Sequence, residues 1–503
     1  MTKHQAGLVP ASFARALDAL RADIQETSFP RRRESHSAAR PQHETGVPLG
    51  GAEPFAGTTN LSIAIACSGG LDSSVLLHLA HAYAREHGIA LFAFHVHHGL
   101  SPNADAWLMH CERGAGALGA GFDHRRVAVP KTKSGTEAAA RKLRYAALGE
   151  MCRVHGVRLM LTAHHLDDQA ETVLLQLLRG SGPAGLSGMD GANSAPGLLG
   201  NPDLVMARPL LALSRAELEA YAREHGIDWI DDESNADPRY ARNALRHQVM
   251  PVLAQAFPGF QQRFARSAAH AQSAQRLLTE LAQEDLAACL DGEAVDIGKL
   301  RELSLDRTYN LLRHWFATRA LSMPSTAWLA EMVTQLLEAR DDAQLLVTHP
   351  DCHIRRHRAR LFITPKLPDL AGMRDPDDEG IFEKHGESFR WNGEAHLEFP
   401  AYGGVLHFEP AGQGFDAAWL RAQPLVIDFR KGGERLKLAP NRPTRSLKAH
   451  YQACDIPAWE RTRLPVVSAN GELLFAAGLG MDCRHLGEAS DGLVGLRWEA
   501  QTV

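Results

Sequence analysis

The sequence predicts an α/β protein: a doubly wound parallel-sheet catalytic domain, followed by a helical domain and a C-terminal α/β domain. Three observations predict it. Between residues 61 and 230, apolar strand-like runs alternate with runs of helical period, the pattern of a parallel sheet with crossover helices. The first such run, Leu61–Ala66, passes through Cys67-Ser68-Gly69-Gly70-Leu71-Asp72-Ser73-Ser74 into Val75, Leu76, Leu79 and Ala80 at helical spacing. Beyond 251 the apolar spacing stays helical as far as 345, and short strands with turns then take over.

Taken in order, Phe13, Leu17, Leu20 and Ile24 share one helical face, which predicts a short amphipathic helix over 10–26. Residues 27–58 hold Arg31-Arg32-Arg33 with Ser, Pro, Gly and His but almost no aliphatics, and read as a flexible insert. Strands are predicted at Leu61–Ala66, Leu91–Val96, Phe122–Val129 and Arg158–Ala163. Helices are predicted at Ser74–His87, Asn103–Leu118, Thr136–His155 and Asp167–Leu178. Residues 181–204, rich in Gly, Pro, Ser and Asn, read as a loop, and Leu213–Glu224 as a further helix. The domains expected are therefore 1–60 (helix and insert), 61–250 (catalytic), 251–345 (helical) and 346–503 (strand-rich and α/β).

Length and composition bound the function. A chain of 503 residues exceeds one ordinary domain. The net charge of −5 means that any nucleic-acid surface is local. Seven scattered cysteines without a Cys-x-x-Cys pair argue for a reducing compartment and against structural zinc. Neither a signal-peptide pattern nor a bilayer-length apolar run is present, so a cytoplasmic protein without a membrane partner is expected. Oligomeric state, monomer or homodimer, is left open.

The turn at 67–74 joins a strand to a helix. Free N–H groups and the positive dipole end at a helix N-terminus bind anions. Gly69 and Gly70 allow close backbone approach, and Ser68, Ser73 and Ser74 add hydroxyls. Asp72, in the first helical turn, can cap the helix or hold magnesium. No Gly-Lys-Ser/Thr ending is present, so this is not a Walker loop. The turn resembles the Ser-Gly-Gly-x-Asp-Ser loop of the ATP pyrophosphatases, in which it cradles pyrophosphate.

A second constellation, His164-His165-Leu166-Asp167-Asp168-Gln169-Ala170-Glu171-Thr172, follows the strand near Ala163. On a helix, His164, Asp168 and Glu171 share one face with Asp167 beside them. Such close carboxylates want a cation, either magnesium or a substrate ammonium group. His95, His97 and His98 end a strand at the same edge, where they stack on a base or satisfy backbone groups. Arg141 and Arg144, one turn apart, suit a polyphosphate or an adenylate. From Asp428 to Arg463, nine basic residues face four acidic ones. Arg435, Arg442, Arg445, Lys448 and Arg461 are candidate nucleic-acid-binding residues there, with Tyr451 and Trp459 as stacking platforms. Arg355, Arg356, Arg358 and Arg360 make a second basic run.

In order along the chain, these motifs together resemble the tRNA(Ile)-lysidine synthase family. Gly185–Met189, Arg208–Leu211, Asp231–Asn235 and Arg242–Arg246 add to the likeness, as do Phe429–Arg435, Ser446–Lys448 and Ile456–Arg461. The insert at 27–58 is a departure. The resemblance implies an enzyme that uses ATP and Mg2+ to adenylate O2 of a cytidine at the first anticodon position of tRNA(Ile) with a CAU anticodon. Free L-lysine then displaces AMP. It implies a pyrophosphate cradle at Ser68, Gly69, Gly70, Leu71, Asp72 and Ser73, and Arg141 and Arg144 steadying the intermediate. Asp168 and Glu171 would bind magnesium or the lysine amine, with Asp72 and Asp168 as metal ligands. A tRNA thiolase would want paired cysteines, and a glutamine-dependent synthetase would want a glutaminase domain. The intact loop argues against an inactive RNA-binding relative.

Overall fold

The computed structural model describes residues 7–27, 61–99, 101–128, 136–231, 241–338, 345–366, 386–487 and 492–501. The insert expected at 27–58 lies, but for Thr27, outside them, as does most of Asp231–Asn235. The chain divides into two compact units, Met1–Leu281 and Ala282–Val503.

In the first unit the order is α1 (Leu8–Thr27), β1 (Ser62–Ala66), α2 (Leu71–His87), β2 (Ala90–His97), α3 (Ala104–Ala117), β3 (Gly121–Arg126), α4 (Thr136–Val154), β4 (Leu159–Leu161) and α5 (Leu166–Leu178). Next come the one-turn helix α6 (Pro183–Leu186), β5 (Ala192–Ser194), the one-turn helix α7 (Pro196–Leu199), β6 (Val205–Ala207), α8 (Arg215–Glu224) and α9 (Ala241–Ala244). A π-helical turn, Leu245–Val249, then leads into further helix. The six strands lie in the order β3-β2-β1-β4-β6-β5. All pairs are parallel except β5 with β6. This is the doubly wound sheet that the alternation predicts.

Period-two alternation builds its two faces. Ile63, Ile65, Leu159 and Leu161 join one buried cluster with Leu71, Val75 and Leu79 of α2 and Leu218 and Tyr221 of α8. Ala64 and Met160 point the other way, into a cluster with Tyr145, Leu148 and Met151 of α4. Val9, Phe13 and Leu17 of α1 are buried in the first cluster, so the amphipathic face read from the sequence is a docked face. Strand order reverses at β1 and β4, and ligands of open parallel sheets bind beyond the carboxyl ends of such strands.

In the second unit, helices Leu305–Thr318 and Thr326–Glu338 pack Leu311, Trp315, Phe316 and Met332 against a five-stranded antiparallel sheet. That sheet takes strands from both sides of residue 345: Leu290–Asp291 and Ala294–Asp296 pair on with Cys352–His357 and Arg360–Pro365. The helices cannot bury their apolar stripes alone, so helix and strand segments form one core. Beyond 386, a five-stranded and a three-stranded antiparallel sheet enclose Trp391, Leu406, Phe415 and Phe475. Arg435–Leu436 and Arg445–Ser446 form a small ribbon followed by helix Leu447–Ala453.

Candidate active site

The two motifs found in the sequence occupy adjacent strands. Cys67–Gly70 leaves β1, and His164–His165 leaves β4, at the switch point. Gly69 has φ +84°, a conformation that side-chain-bearing residues rarely adopt, and an added Cβ there would lie 3.2 Å from Cys111 Sγ. The Ser73 hydroxyl donates to Gly70 O at 3.0 Å and lies 3.1 Å from Ser68 Oγ. Ile230 N donates to Gly69 O at 2.9 Å. Gly70 is the N-cap of α2 with no side-chain cap bond, and Leu71 and Asp72 fall in the first turn. With no side-chain cap, the first N–H groups of α2 are left for an anion.

Asp72 Oδ2 lies 3.6 Å from His165 Nε2 and 3.4 Å from Arg215 Nη1. Asp72 Oδ1 is buried with no hydrogen-bond partner among the described residues. An orphaned carboxylate oxygen beside a phosphate cradle fits a hard cation such as Mg2+. Among the described residues no group of three His, Cys, Asp or Glu forms a metal cage, so the chain would supply only part of a coordination shell, as magnesium sites usually do.

α5 opens with a capping box. His165 N donates to Asp168 Oδ2 at 3.1 Å, and Asp168 N donates to His165 Nδ1 at 3.4 Å. The acidic face then meets two arginines. Arg242 Nε donates to Glu171 Oε2 at 2.7 Å, and Arg246 Nε to Glu171 Oε1 at 2.6 Å. Both guanidinium groups also donate to Asp168 Oδ1 at 3.1 Å. Glu171 is buried, its side chain 2% exposed. The cation that these carboxylates demand is thus supplied, in the structure, from within the chain. Burial works against the Asp168 charge, but His165, Arg242 and His164 outweigh it and hold the carboxyl below its ordinary value. Burial likewise opposes the Arg246 charge, and Glu171 outweighs it, raising the guanidinium. Asp168 thus has both oxygens engaged, whereas Asp72 keeps one open.

Arg141 and Arg144 are exposed on α4, their guanidinium carbons 5.0 and 5.8 Å from the buried Tyr145 ring. Arg141 acts electrostatically on His164, and Arg144 on His98. Burial first, then Arg144, pushes His98 down to about 4, and its Nδ1 has no partner among the described residues. His95 satisfies the backbone: its Nδ1 lies 2.9 Å from Cys67 O. His97 pairs with Asp105 at 3.3 Å.

Arg435, Arg442, Arg445 and Lys448 are exposed on and around the small ribbon of the second unit. Arg461 is half-buried, its Nε donating to Ile456 O at 2.5 Å. Tyr451 is not a stacking platform. It is fully buried and donates to Ala477 O at 2.9 Å, because the apolar face of its short helix must face the core. Trp459 carries Arg355 over its ring at 5.4 Å. Arg358 and Arg360 pair with Asp455, so that basic run is partly neutralised.

Reading the sequence assigns no role to Arg215, Arg242 or Arg246. The signal for the last two was present: cations at i and i+4 match carboxylates at i and i+3. Only the fold, however, brings residues 242–246 to residues 168–171.

Residues 51–253 match the family described as PP-loop domain, 296–362 the TilS substrate binding domain, and 425–498 the TilS substrate C-terminal domain. The chain is 44% identical over 425 residues to a tRNA(Ile)-lysidine synthase of Ralstonia nicotianae, covering 84% of this chain and 89% of that one. It is 44% identical over 445 residues to the enzyme of that name from Burkholderia pseudomallei, with the same coverage. The Serratia proteamaculans enzyme is 38% identical, over 85% of this chain and 93% of its own.

Proposed function

The chain belongs to the tRNA(Ile)-lysidine synthase family, and from that premise we propose how its residues divide the reaction. It is an ATP-using ligase that forms lysidine on tRNA(Ile). The observation that carries the division of labour is the meeting of the phosphate turn and the acidic helix at one switch point, with His165 between Asp72 and Asp168 at 3.6 and 3.4 Å.

Ser68, Gly69, Gly70, Leu71 and Ser73 receive the β- and γ-phosphates of ATP. Asp72, with its orphaned Oδ1, would hold Mg2+, which would neutralise phosphate charge. Cytidine O2 attacks the α-phosphorus and pyrophosphate leaves into the cradle. Arg141 and Arg144 steady the adenylate from α4. Asp168 and Glu171 hold Arg242 and Arg246 at the edge. Asp167, Asp168 and Glu171 are three carboxylates against two guanidinium groups, those of Arg242 and Arg246, with the His165 imidazole beside them. With the His165 imidazole neutral, one negative charge is left over to attract the ammonium group of free lysine. That amine must lose a proton to attack, since its ordinary pKa is about 10.4, and a carboxylate of this cluster accepts it. Arg435, Arg442, Arg445, Lys448 and Arg461 contact tRNA phosphates.

The test is incubation with ATP, labelled lysine and a tRNA carrying cytidine at the first anticodon position, followed by mass spectrometry of the nucleosides. Label is expected in that cytidine, with AMP and pyrophosphate released. Wild-type protein that adenylates the tRNA but never incorporates lysine would overturn the lysine assignment.

A further inference from the structure

We infer that Arg215 contacts the pyrophosphate leaving group, supplying from a neighbouring helix the cation that the phosphate turn lacks. The inference rests on the reading of Ser68–Ser73 as the pyrophosphate cradle. Between Cys67 and Ser74 the turn contains no Lys, Arg or His. A Walker loop carries a lysine for the terminal phosphates; here backbone N–H groups and hydroxyls offer only partial charges. Among the described residues, two side chains able to carry positive charge lie within ion-pair reach of Asp72, those of His165 and Arg215. His165 is buried among carboxylates. Arg215 faces the solvent side, 44% exposed.

The position of Arg215 follows from helix packing. α2 and α8 run side by side with the same polarity: Asp72 meets Arg215, and six residues further along each helix His78 Nδ1 lies 3.0 Å from Tyr221 Oη. Leu71, Val75 and Leu79 share a buried cluster with Leu218, Tyr221 and Ala222. The backbone is pinned as well. Arg215 N donates to Asp167 Oδ2 at 2.8 Å, and Ser214 with Glu217 closes a capping box. The N–H groups of Arg215 and Glu217 are therefore engaged, while the Arg215 guanidinium extends beyond the cap.

Its contact with Asp72 is loose. The 3.4 Å separation exceeds the 2.7–2.9 Å of a well-formed charge-assisted bond, and it uses one of five donors. A phosphate offers more acceptors at the same place. In adenylation the bond from O2 to the α-phosphorus forms and the α-phosphorus bond to its bridging oxygen breaks. That oxygen leaves with the electron pair, so negative charge grows on the pyrophosphate. A guanidinium placed there is worth most at that moment. Arg215 thus serves the first half-reaction and is silent in the second, when pyrophosphate has gone.

The experiment uses the full chain. Single-turnover adenylation of tRNA, its inhibition by inorganic pyrophosphate, and lysine attack on pre-formed adenylated tRNA are measured for wild type, Arg215→Gln, Arg215→Lys and Ser73→Ala. Arg215→Gln is expected to slow adenylation and weaken pyrophosphate inhibition by about 10- to 100-fold, the range for losing one hydrogen bond to a charged group. Arg215→Lys should recover part of both, and lysine attack should be unchanged in either variant. If Ser73→Ala weakens pyrophosphate inhibition while Arg215→Gln does not, the role of Arg215 is wrong and the cradle stands. If neither does, the cradle reading falls and this inference with it. If Arg215→Gln slows both half-reactions equally without rescue by lysine, Arg215 is only a structural residue and the inference is overturned.

Discussion

His164 and His165 are chain neighbours that face opposite electrostatic fields. His164 Nδ1 lies 3.0 Å from Thr162 Oγ1, and burial, with Arg208, Arg242 and Arg141 nearby, pushes it down to about 4 against the pull of Asp168. His165 is also buried, which opposes its charge, but Asp72, Asp168 and Asp167 outweigh the burial and raise it. The extended backbone at the end of β4 turns successive side chains to opposite sides, so one imidazole meets the cations and the other the carboxylates.

The two histidines should therefore make stability depend on pH in opposite directions. The folded state protonates His164 less readily than the unfolded chain does. Its contribution is complete above the ordinary value of 6.5 and is lost as pH falls from there toward about 4. The contribution of His165 is complete below 6.5 and is lost as pH rises through its raised folded value. NMR titration of labelled histidines, with urea unfolding at several pH values, checks both. A His164 that titrates at or above 6.5 would contradict the field described here.

Asp72→Asn should abolish adenylation while the fold persists. The change removes the charge beside the cradle, along with its ion pairs to His165 and Arg215. Pyrophosphate release on tRNA is the assay, with circular dichroism as the fold control. Normal release from folded variant would remove Asp72 from the chemistry.

Glu171→Gln should cost about 3 kcal/mol, because losing one member of a buried ion-pair network leaves its partners uncompensated. Product formation should slow and adenylated tRNA should accumulate. Thermal melting and parallel quantitation of adduct and lysidine decide it. A variant as stable as wild type that forms product equally fast would show the quartet with Arg242 and Arg246 to be dispensable.

Gly149→Ala should destabilise by about 1–3 kcal/mol, the range for overpacking. Alanine in a helix interior ordinarily helps by about 1 kcal/mol, but here an added Cβ would lie 1.8 Å from Leu199 O, where α4 meets α7. The denaturant midpoint gives the sign directly, and a stabilised variant would mean that α7 moves away at little cost.

Arg442→Ala combined with Arg445→Ala should weaken tRNA binding and lower its log–log salt slope by at most about two units, roughly one for each phosphate no longer neutralised. ATP binding should stay unchanged. An unaltered slope would identify these residues as part of a solvated face.

Much of this was legible in the sequence because local pattern decided it. Strands β1, β2 and β4 announce themselves by apolar runs, and the phosphate turn by Gly69 and Gly70 between a strand and a helix. Strands β5 and β6 were hidden: each has three residues, as β4 has, but they lie within or beside a Gly- and Pro-rich stretch instead of in a longer apolar run. The partners of Glu171 were hidden for a different reason: 71 and 75 residues separate it from Arg242 and Arg246, and no local rule pairs such positions. Tyr451 misled because aromatics interleaved with cations suit RNA stacking and a helix's core face alike.

The ion-pair quartet also bears on how the protein is made. A ribosome that has released the first 230 residues has delivered all six strands of the sheet and the helices α2, α4 and α5. Glu171 would then lie in a half-built interior with no counter-charge, a costly arrangement. Only when Arg242 and Arg246 emerge can that carboxylate be neutralised, so the catalytic edge closes after the sheet that carries it.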